Sequence, residues 1–187
     1  MELQEATGRV LVTAEKLYYA KGIGAVGMDD VRTGSGVSMR RLYQLYPSKE
    51  HLVAAYLEAR DVRWRRRLAD HVDATGDSRP RERLLAVFDW LGLWFAEPGF
   101  RGCAFINAFG ELGDAAPRVL AVVRRHKDLF RDYLIELAAD HCGGDGVRLG
   151  EQLLLLAEGA MTAAAIGTDP DAAVHARAAA AVLVDAA

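Results

Sequence analysis

The chain has 187 residues, 51% of them hydrophobic, with 23 lysines and arginines against 26 acidic residues and a formal net charge of −3. That length limits it to one or two domains with a sizeable core, and the near balance of charge excludes nucleic-acid binding driven by overall charge, so any basic footprint must be local. The two cysteines, Cys103 and Cys142, make neither a disulfide framework nor a zinc pattern, and a reduced, cytoplasmic protein is the expectation. Glu2 and Glu5 stand where a secretion signal would be basic. The most apolar run, 153–166, is interrupted by Glu158, so neither a membrane span nor a membrane partner is expected.

In chain order, Glu5 to Lys21 reads as a first helix, with Val10, Leu11, Ala14, Leu17 and Tyr18 on one stripe and Gly22 ending it. Ile23 to Gly27 is a short connector. Met28, Val31 and Arg32 then lie on helical spacing, with Asp29 and Asp30 placed to favour a helix start. Gly34-Ser35-Gly36 breaks that helix, and Gly36 can take the left-handed conformation a sharp interhelical turn needs. Val37 plugs the turn, Ser38 is an N-cap, and Leu42 and Tyr43 give the next short helix its buried side. Two short helices on a tight glycine turn form a helix-turn-helix, whose second helix is of the kind that enters a DNA major groove.

Met39, Arg40, Arg41 and Gln44 point away from the face carrying Leu42 and Leu45. Arginine reads guanine bidentately or holds phosphate, and glutamine reads adenine. Pro47 stops the short helix and Ser48 caps the next. Lys49 falls in a first turn that disfavours a cation yet favours phosphate, a placement explained if both hold DNA backbone. The counter-reading is a helical hairpin with surface charges. Up to Leu52, seven basic residues oppose six acidic ones, so what matters is which face the arginines take.

From about Val10 to Leu57 the chain resembles the DNA-binding domain of the tetracycline-repressor (TetR) family of transcription regulators. The matching residues are Leu11, Ala14, Leu17, Gly22, Val31, Gly36-Val37-Ser38, Leu42-Tyr43, Tyr46, Ser48-Lys49-Glu50 and Leu52. The resemblance implies that Tyr43 and Lys49 hold phosphate and that Ser38 to Gln44 face the bases. Arg32 and Ser35 stand where the family usually has small alanines, Arg40 and Arg41 replace a glycine and a small hydroxyl residue, Leu45 replaces a common histidine, and Gly27 stands at a usual capping threonine or serine. The recognition helix is thus more basic than is usual.

Ser48 to about Thr75 reads as a long fourth helix with apolar positions Leu52, Tyr56, Leu57, Ala59, Val62, Leu68 and Val72. It begins beside the proposed DNA contact and ends in the second half, so it can carry a displacement between them. Its run Arg63, Arg65, Arg66 and Arg67 reads first as a solvated face, with a DNA-facing or hinge patch as the other option. Thr75 to Pro80 is the best linker. Helices follow from Pro80 to about Ala96, apolar nearly all round and therefore central, from Gly102 to Leu112, from Asp114 to about His141, from Val147 to Gly167, and from Asp171 to Val184. The stretch Gly102 to Ala108 resembles, more weakly, a segment of some TetR ligand domains.

The last two helices carry Leu149, Leu153, Leu156, Ala160, Met161 and Ala164, and Val174, Ala178, Ala181 and Val182. Such small apolar faces suit an isologous four-helix dimer interface, or else they close the monomer core, and the resemblance favours the dimer. The aromatic density between Pro80 and His141 suits an apolar ligand cavity, with Phe88, Leu91, Trp94, Phe95, Phe105, Phe109, His126 and Phe130 as the expected lining and His71, Cys103, Asn107 and Glu111 as further polar candidates. Taken singly, each of these is more readily core or surface, and Cys103, Asn107 and Glu111 share a stripe that can equally face solvent.

No phosphate loop, nucleophile elbow or HExxH spacing is present and the histidines are scattered, so neither catalysis nor a cofactor or metal is expected. The expectation is an all-α protein: a three-helix DNA-binding domain over 1–52 and a helical ligand-binding and dimerisation domain over 53–187, bridged by the helix from Ser48. Its function would be that of a homodimeric repressor on a pseudo-palindromic double-stranded operator, released by a small, largely apolar effector. The predicted DNA contacts are Ser38, Met39, Arg40, Arg41, Tyr43, Gln44 and Lys49. The alternative is a helical protein-interaction module, which leaves Arg40, Arg41 and Lys49 without a strong explanation.

Overall fold

The computed structural model describes residues 2–75 and 79–187, so residues 76–78 of the expected linker lie outside the described residues. Among the described residues the chain is all-α. Its helices are α1 Leu3–Lys21, α2 Met28–Ser35, α3 Met39–Leu45, α4 Lys49–Asp73, α5 Pro80–Phe95, α6 Ala104–Leu112, α7 Pro117–Cys142, α8 Val147–Ile166 and α9 Ala172–Asp185, with a 3-10 turn at Gly113–Ala115. They form two compact units, whose limits fall within α4, at the start of α6 and within α7.

The first unit holds the chain up to Val62 together with Ala104–Arg125. Its core comes from the stripe of α1 (Ala6, Val10, Ala14, Tyr18), the connector residues Ile23 and Val26, and Val31, Val37, Leu42, Tyr46, Leu52 and Leu57, all buried. The helix α2 packs on α1 closely enough that a Cβ at Gly34 would sit 2.7 Å from Thr13 Cγ2. Burial pushes the Tyr18 hydroxyl far above its ordinary value, and the charge of Asp30 adds to this.

The second unit, Arg63–Cys103 with His126–Ala187, packs α5, α8 and α9 against one another. At its centre is Trp64, which the arginines on either side hide in the sequence. Its ring meets Trp90 at 5.0 Å, Phe130 at 5.1 Å, His126 at 5.2 Å and Trp94 at 5.7 Å between centroids, all edge-on. Val62, expected among the apolar positions of α4, is instead 60% exposed. The arginine run is partly tied down: Arg66 pairs with Asp70, and Arg67 pairs with Glu97 and lies over the Trp90 ring. Arg81 to Asp185 and Arg177 to Asp89 pin α9 to α5.

A pair of glycines sets how closely α8 meets α7. A Cβ at Gly146 would lie 2.3 Å from the Ala139 backbone nitrogen, and one at Gly150 would lie 2.7 Å from Ile135 Cα. Backbone cannot swing aside as a side-chain end can. Gly150→Ala should therefore cost about 1–3 kcal/mol or more through overpacking. Gly8→Ala, in α1 with nothing within 4 Å of its added Cβ, should gain roughly 0.5–1 kcal/mol by removing backbone entropy from the unfolded chain. Thermal unfolding of the two variants checks the sign of each, and equal shifts would refute the close approach.

The last two helices use both of their faces. Leu149, Leu153, Ala160 and Met161 of α8 and Ala172, Ala176, Ala180 and Val184 of α9 are buried and close the unit's own core. The four α8 residues were expected on an outward face and turn inward instead. The faces left open carry Leu155 (73% exposed) and Ile166 on α8, and Val174 and Val182 on α9. By length and composition α8 meets a minimal criterion for a membrane span, more closely than its sequence suggested. Its buried stripe and the Glu158 carboxylate, which takes both bonds from Lys127 Nζ at 2.6 and 2.7 Å, fit a core helix instead.

Candidate nucleic-acid interface

The turn between α2 and α3 is built as its residue types require. Gly36 has φ +66°, and its N–H donates to the Arg32 carbonyl at 3.0 Å, closing α2. A side chain there would be strained and would also meet Arg9 Nη2 at 2.7 Å. Ser35 is buried but satisfied, since its Oγ donates to the Arg32 carbonyl and accepts from the Val37 N–H. At the start of α2, Gly27 offers no capping side chain, and Asp30 Oδ2 accepts the Gly27 N–H at 2.7 Å instead.

The helix α3 has seven residues, and Ser38 caps it by accepting the Arg41 N–H at 3.3 Å. Leu42 is fully buried and fixes the helix on the core. Ser38, Arg40, Tyr43 and Gln44 are exposed, and Met39 and Arg41 are partly so. Arg40, Tyr43 and Gln44 fall at i, i+3 and i+4, which puts them on one side of the helix. Leu45, expected beside Leu42, is only partly covered, and Tyr46 supplies the second anchor, its hydroxyl raised by burial. Among the described residues no carboxylate pairs with Arg40, Arg41 or Lys49. Arg32, by contrast, donates from Nε to Asp29 Oδ1 at 2.7 Å, and that bond holds the Asp29 carboxyl below its usual range. The cations of α3 and of the α4 start are thus left open, whereas Arg32 is held in place.

The start of α4 follows. Ser48 Oγ accepts the His51 N–H at 3.4 Å and meets His51 Nδ1 at 2.8 Å. Lys49 opens the helix, partly exposed, beside first-turn amides that favour an anion. The predicted DNA contacts therefore share one region of the first unit, formed by α3 and the first turn of α4.

The candidates for an effector site do not all share one unit. Phe88, Leu91, Trp94, Phe95, His126 and Phe130 belong to the second unit, and Phe105 and Phe109 to the first. Phe88, Leu91, Trp94, His126 and Phe130 are buried, whereas Phe109 is 54% exposed. An open groove of about 360 Å³ in the second unit is lined by Gly92, Phe95, Ala164, Gly167, Asp169 and Val174 among others, and takes only Phe95 from the expected set. Cys103 is buried, with Lys127 Nζ 3.5 Å from its sulfur. Trp64 was missed, although Leu57, Trp64, Leu68 and Val72 keep a helical spacing that could have found it.

Residues 10–56 match the family model described as bacterial regulatory proteins, tetR family. No curated protein matches the chain. Among solved structures, a TetR-family transcriptional regulator from Streptomyces coelicolor is 33% identical, with 97% of this chain and 95% of that one covered and a TM-score of 0.85. A Streptomyces avermitilis protein described as a TetR transcriptional regulator is 31% identical over 97% of each chain, with a TM-score of 0.84. The reduced form of Escherichia coli NemR, 20% identical over 95% of this chain and 97% of its own, shares the fold at a TM-score of 0.83. Whole-length likeness to the two Streptomyces proteins, at 33% and 31% identity, joins the helix-turn-helix to its helical second unit as one protein type, a DNA-binding transcriptional regulator: the chain belongs to the TetR family.

Proposed function

We propose that this regulator is a homodimeric, cytoplasmic repressor. It binds a pseudo-palindromic operator through Ser38, Met39, Arg40, Arg41, Tyr43, Gln44 and Lys49, and is released by a small, largely apolar effector held in the second unit. The observation that carries the DNA reading is the seven-residue α3, anchored by a fully buried Leu42 while, among the described residues, its arginines and Gln44 are left without carboxylate partners. Arg40, Arg41 and Gln44 read base edges, and Tyr43 and Lys49 hold phosphate and set register. Two copies of α3 reach successive major grooves about one helical turn apart. The open groove of the second unit, which sets Phe95 beside Gly92, Ala164 and Ala173, supports a largely apolar effector, and α4, which runs from Lys49 to Asp73, links the effector unit to the DNA contact. The effector shifts the population by no more than its difference in affinity between the two conformations.

Titration against DNA from upstream of the protein's own gene, and then against selected genomic fragments, at several salt concentrations tests this. Tight, salt-dependent binding that survives non-specific competitor is the expected result, and binding no tighter than to random DNA for every fragment would refute it.

The open faces of α8 and α9 support the dimer, since large exposed apolar residues on two packed helices mark an interface. Val174→Glu with Val182→Glu should turn the dimer into a folded monomer in sedimentation, because both side chains are mostly exposed in the single chain, at 63% and 70%. A double variant that stays dimeric would move the interface elsewhere.

A further inference from the structure

Besides Asp30, whose bond to Gly27 is local, two carboxylates in the first unit take backbone amides far off in sequence rather than cations, and these bonds bracket the helix-turn-helix. Ahead of it, α6 sends Glu111 to the connector between α1 and α2. Its Oε1 accepts the Ile23 N–H at 3.0 Å and its Oε2 accepts the Gly24 N–H at 2.7 Å. Consecutive amides turned to one side make an anion cradle, and the flanking glycines leave it open. Gly22 sits at φ +89°, and a Cβ there would lie 3.2 Å from Glu111 Oε2, with one at Gly24 3.4 Å from the same atom. Behind it, Glu50 in the first turn of α4 accepts the Arg118 N–H at 2.9 Å, in the first turn of α7, where the helix end favours negative charge. Only six residues separate Glu111 from Arg118, so one corner, α6 to the start of α7, is bonded to the entrance of α2–α3 and to its exit.

We infer that Glu111 and Glu50 are positioning residues for DNA binding, a paired carboxylate clamp through which the α6–α7 corner fixes the orientation of the recognition helix. The inference deepens the DNA-binding reading and rests on it. The helix α3 is short and is joined to its neighbours by the turn at Gly36 on one side and by Tyr46-Pro47 on the other. Its angle therefore depends on where the connector and the start of α4 are held. Base reading needs that angle, because a bidentate contact tolerates little displacement. Neither carboxylate is assigned to touch DNA.

Glu111→Ala removes both connector bonds, and Glu111→Gln keeps one acceptor. With the full-length chain and a site chosen by fragment selection, Glu111→Ala should weaken specific binding about tenfold, the scale of a charge-assisted hydrogen bond, with Glu111→Gln between it and the parent. The salt dependence should keep its slope, since no phosphate contact is lost. Amide exchange at Ile23 and Gly24 should quicken in both variants while the exchange of the α5 and α8 amides stays as it was.

Unchanged exchange at Ile23 and Gly24 would overturn the clamp without any DNA in the assay, which separates its failure from failure of the DNA reading. Faster exchange with unchanged affinity would leave a bond that positions nothing, and so would overturn the role. A flatter salt slope would mean that the lost contact was to DNA. If Glu111→Ala does not fold, Glu111→Gln decides between these outcomes alone.

Discussion

Trp64→Ala should lower the free energy of unfolding by about 3–5 kcal/mol, the range for removing a fully packed indole. Four aromatic rings lose their central neighbour at once: Trp90, Trp94, His126 and Phe130 all meet Trp64 edge-on. Such pairs add about 0.5–1.5 kcal/mol each beyond the area they bury. They are not independent, so the single-residue range is the better guide than their sum. For a chain of this size each kcal/mol moves the melting point by about 2–4 °C, so the drop should be at least about 6 °C. Trp64→Phe keeps a ring and should fall well short of that loss. Val62→Ala, two residues away but mostly exposed, should change stability by no more than about 0.5 kcal/mol. Thermal unfolding of the three variants checks the ordering. If Trp64→Ala and Val62→Ala prove equivalent, the aromatic assembly is not the core of the second unit.

The contrast between Val62 and Trp64 also shows where the sequence is legible and where it is not. Local chemistry reads well. Gly36 had to be left-handed because a turn between two short helices needs it, and it is; Ser38 had to cap α3, and it does. Those signals are complete within a few residues. The rotation of α4 is not, because Asp61 falls on the buried stripe and is itself buried, while Val62 beside it looks like a core residue. A polar residue inside and an apolar one outside turn the apparent stripe by about one position, and Trp64 drops out of it between Arg63 and Arg65. The inward side of α8 was legible: Arg148, Glu151, Gln152, Glu158 and Thr162 share one side of the helix, and buried Leu149, Leu153, Ala160 and Met161 share the other. How near α8 comes to α7 was not legible, because the contact of Gly146 and Gly150 with the α7 backbone sets it.

Glu111 marks the other limit. Its partners are backbone amides 88 and 87 residues away, and a backbone amide carries no sequence signal. In sequence Glu111 reads as a polar candidate for an effector cavity or, on a stripe shared with Cys103 and Asn107, as a solvent-facing residue. The structure instead places Glu111 against the connector, and groups α6 with the helices around the recognition turn. Long-range bonds to main chain become visible only once the chain is folded.

Replacing Arg40 and Arg41 together by alanine should reduce affinity for the specific site by about a hundredfold or more, since each bidentate base contact is worth roughly 1–3 kcal/mol of discrimination. The loss should be much smaller on random DNA. Both residues sit on a helix fixed by buried Leu42, and no carboxylate among the described residues competes for them. Truncation at Cβ leaves that anchor and the Ser38 cap intact, because the cap bonds the Arg41 main-chain N–H and not its side chain. Helix α3 should therefore persist, and the melting point should hardly move. Lys49→Ala supplies the opposite pattern: affinity falls on every sequence and the salt slope flattens by about one, as expected of a single phosphate contact. The two variants measured side by side, on specific and random DNA across a salt series, separate reading from holding. Parallel losses on both DNAs for the arginine pair, with a slope reduced by about one per arginine, would reassign them to the backbone and leave Gln44 as the base-reading residue of the helix.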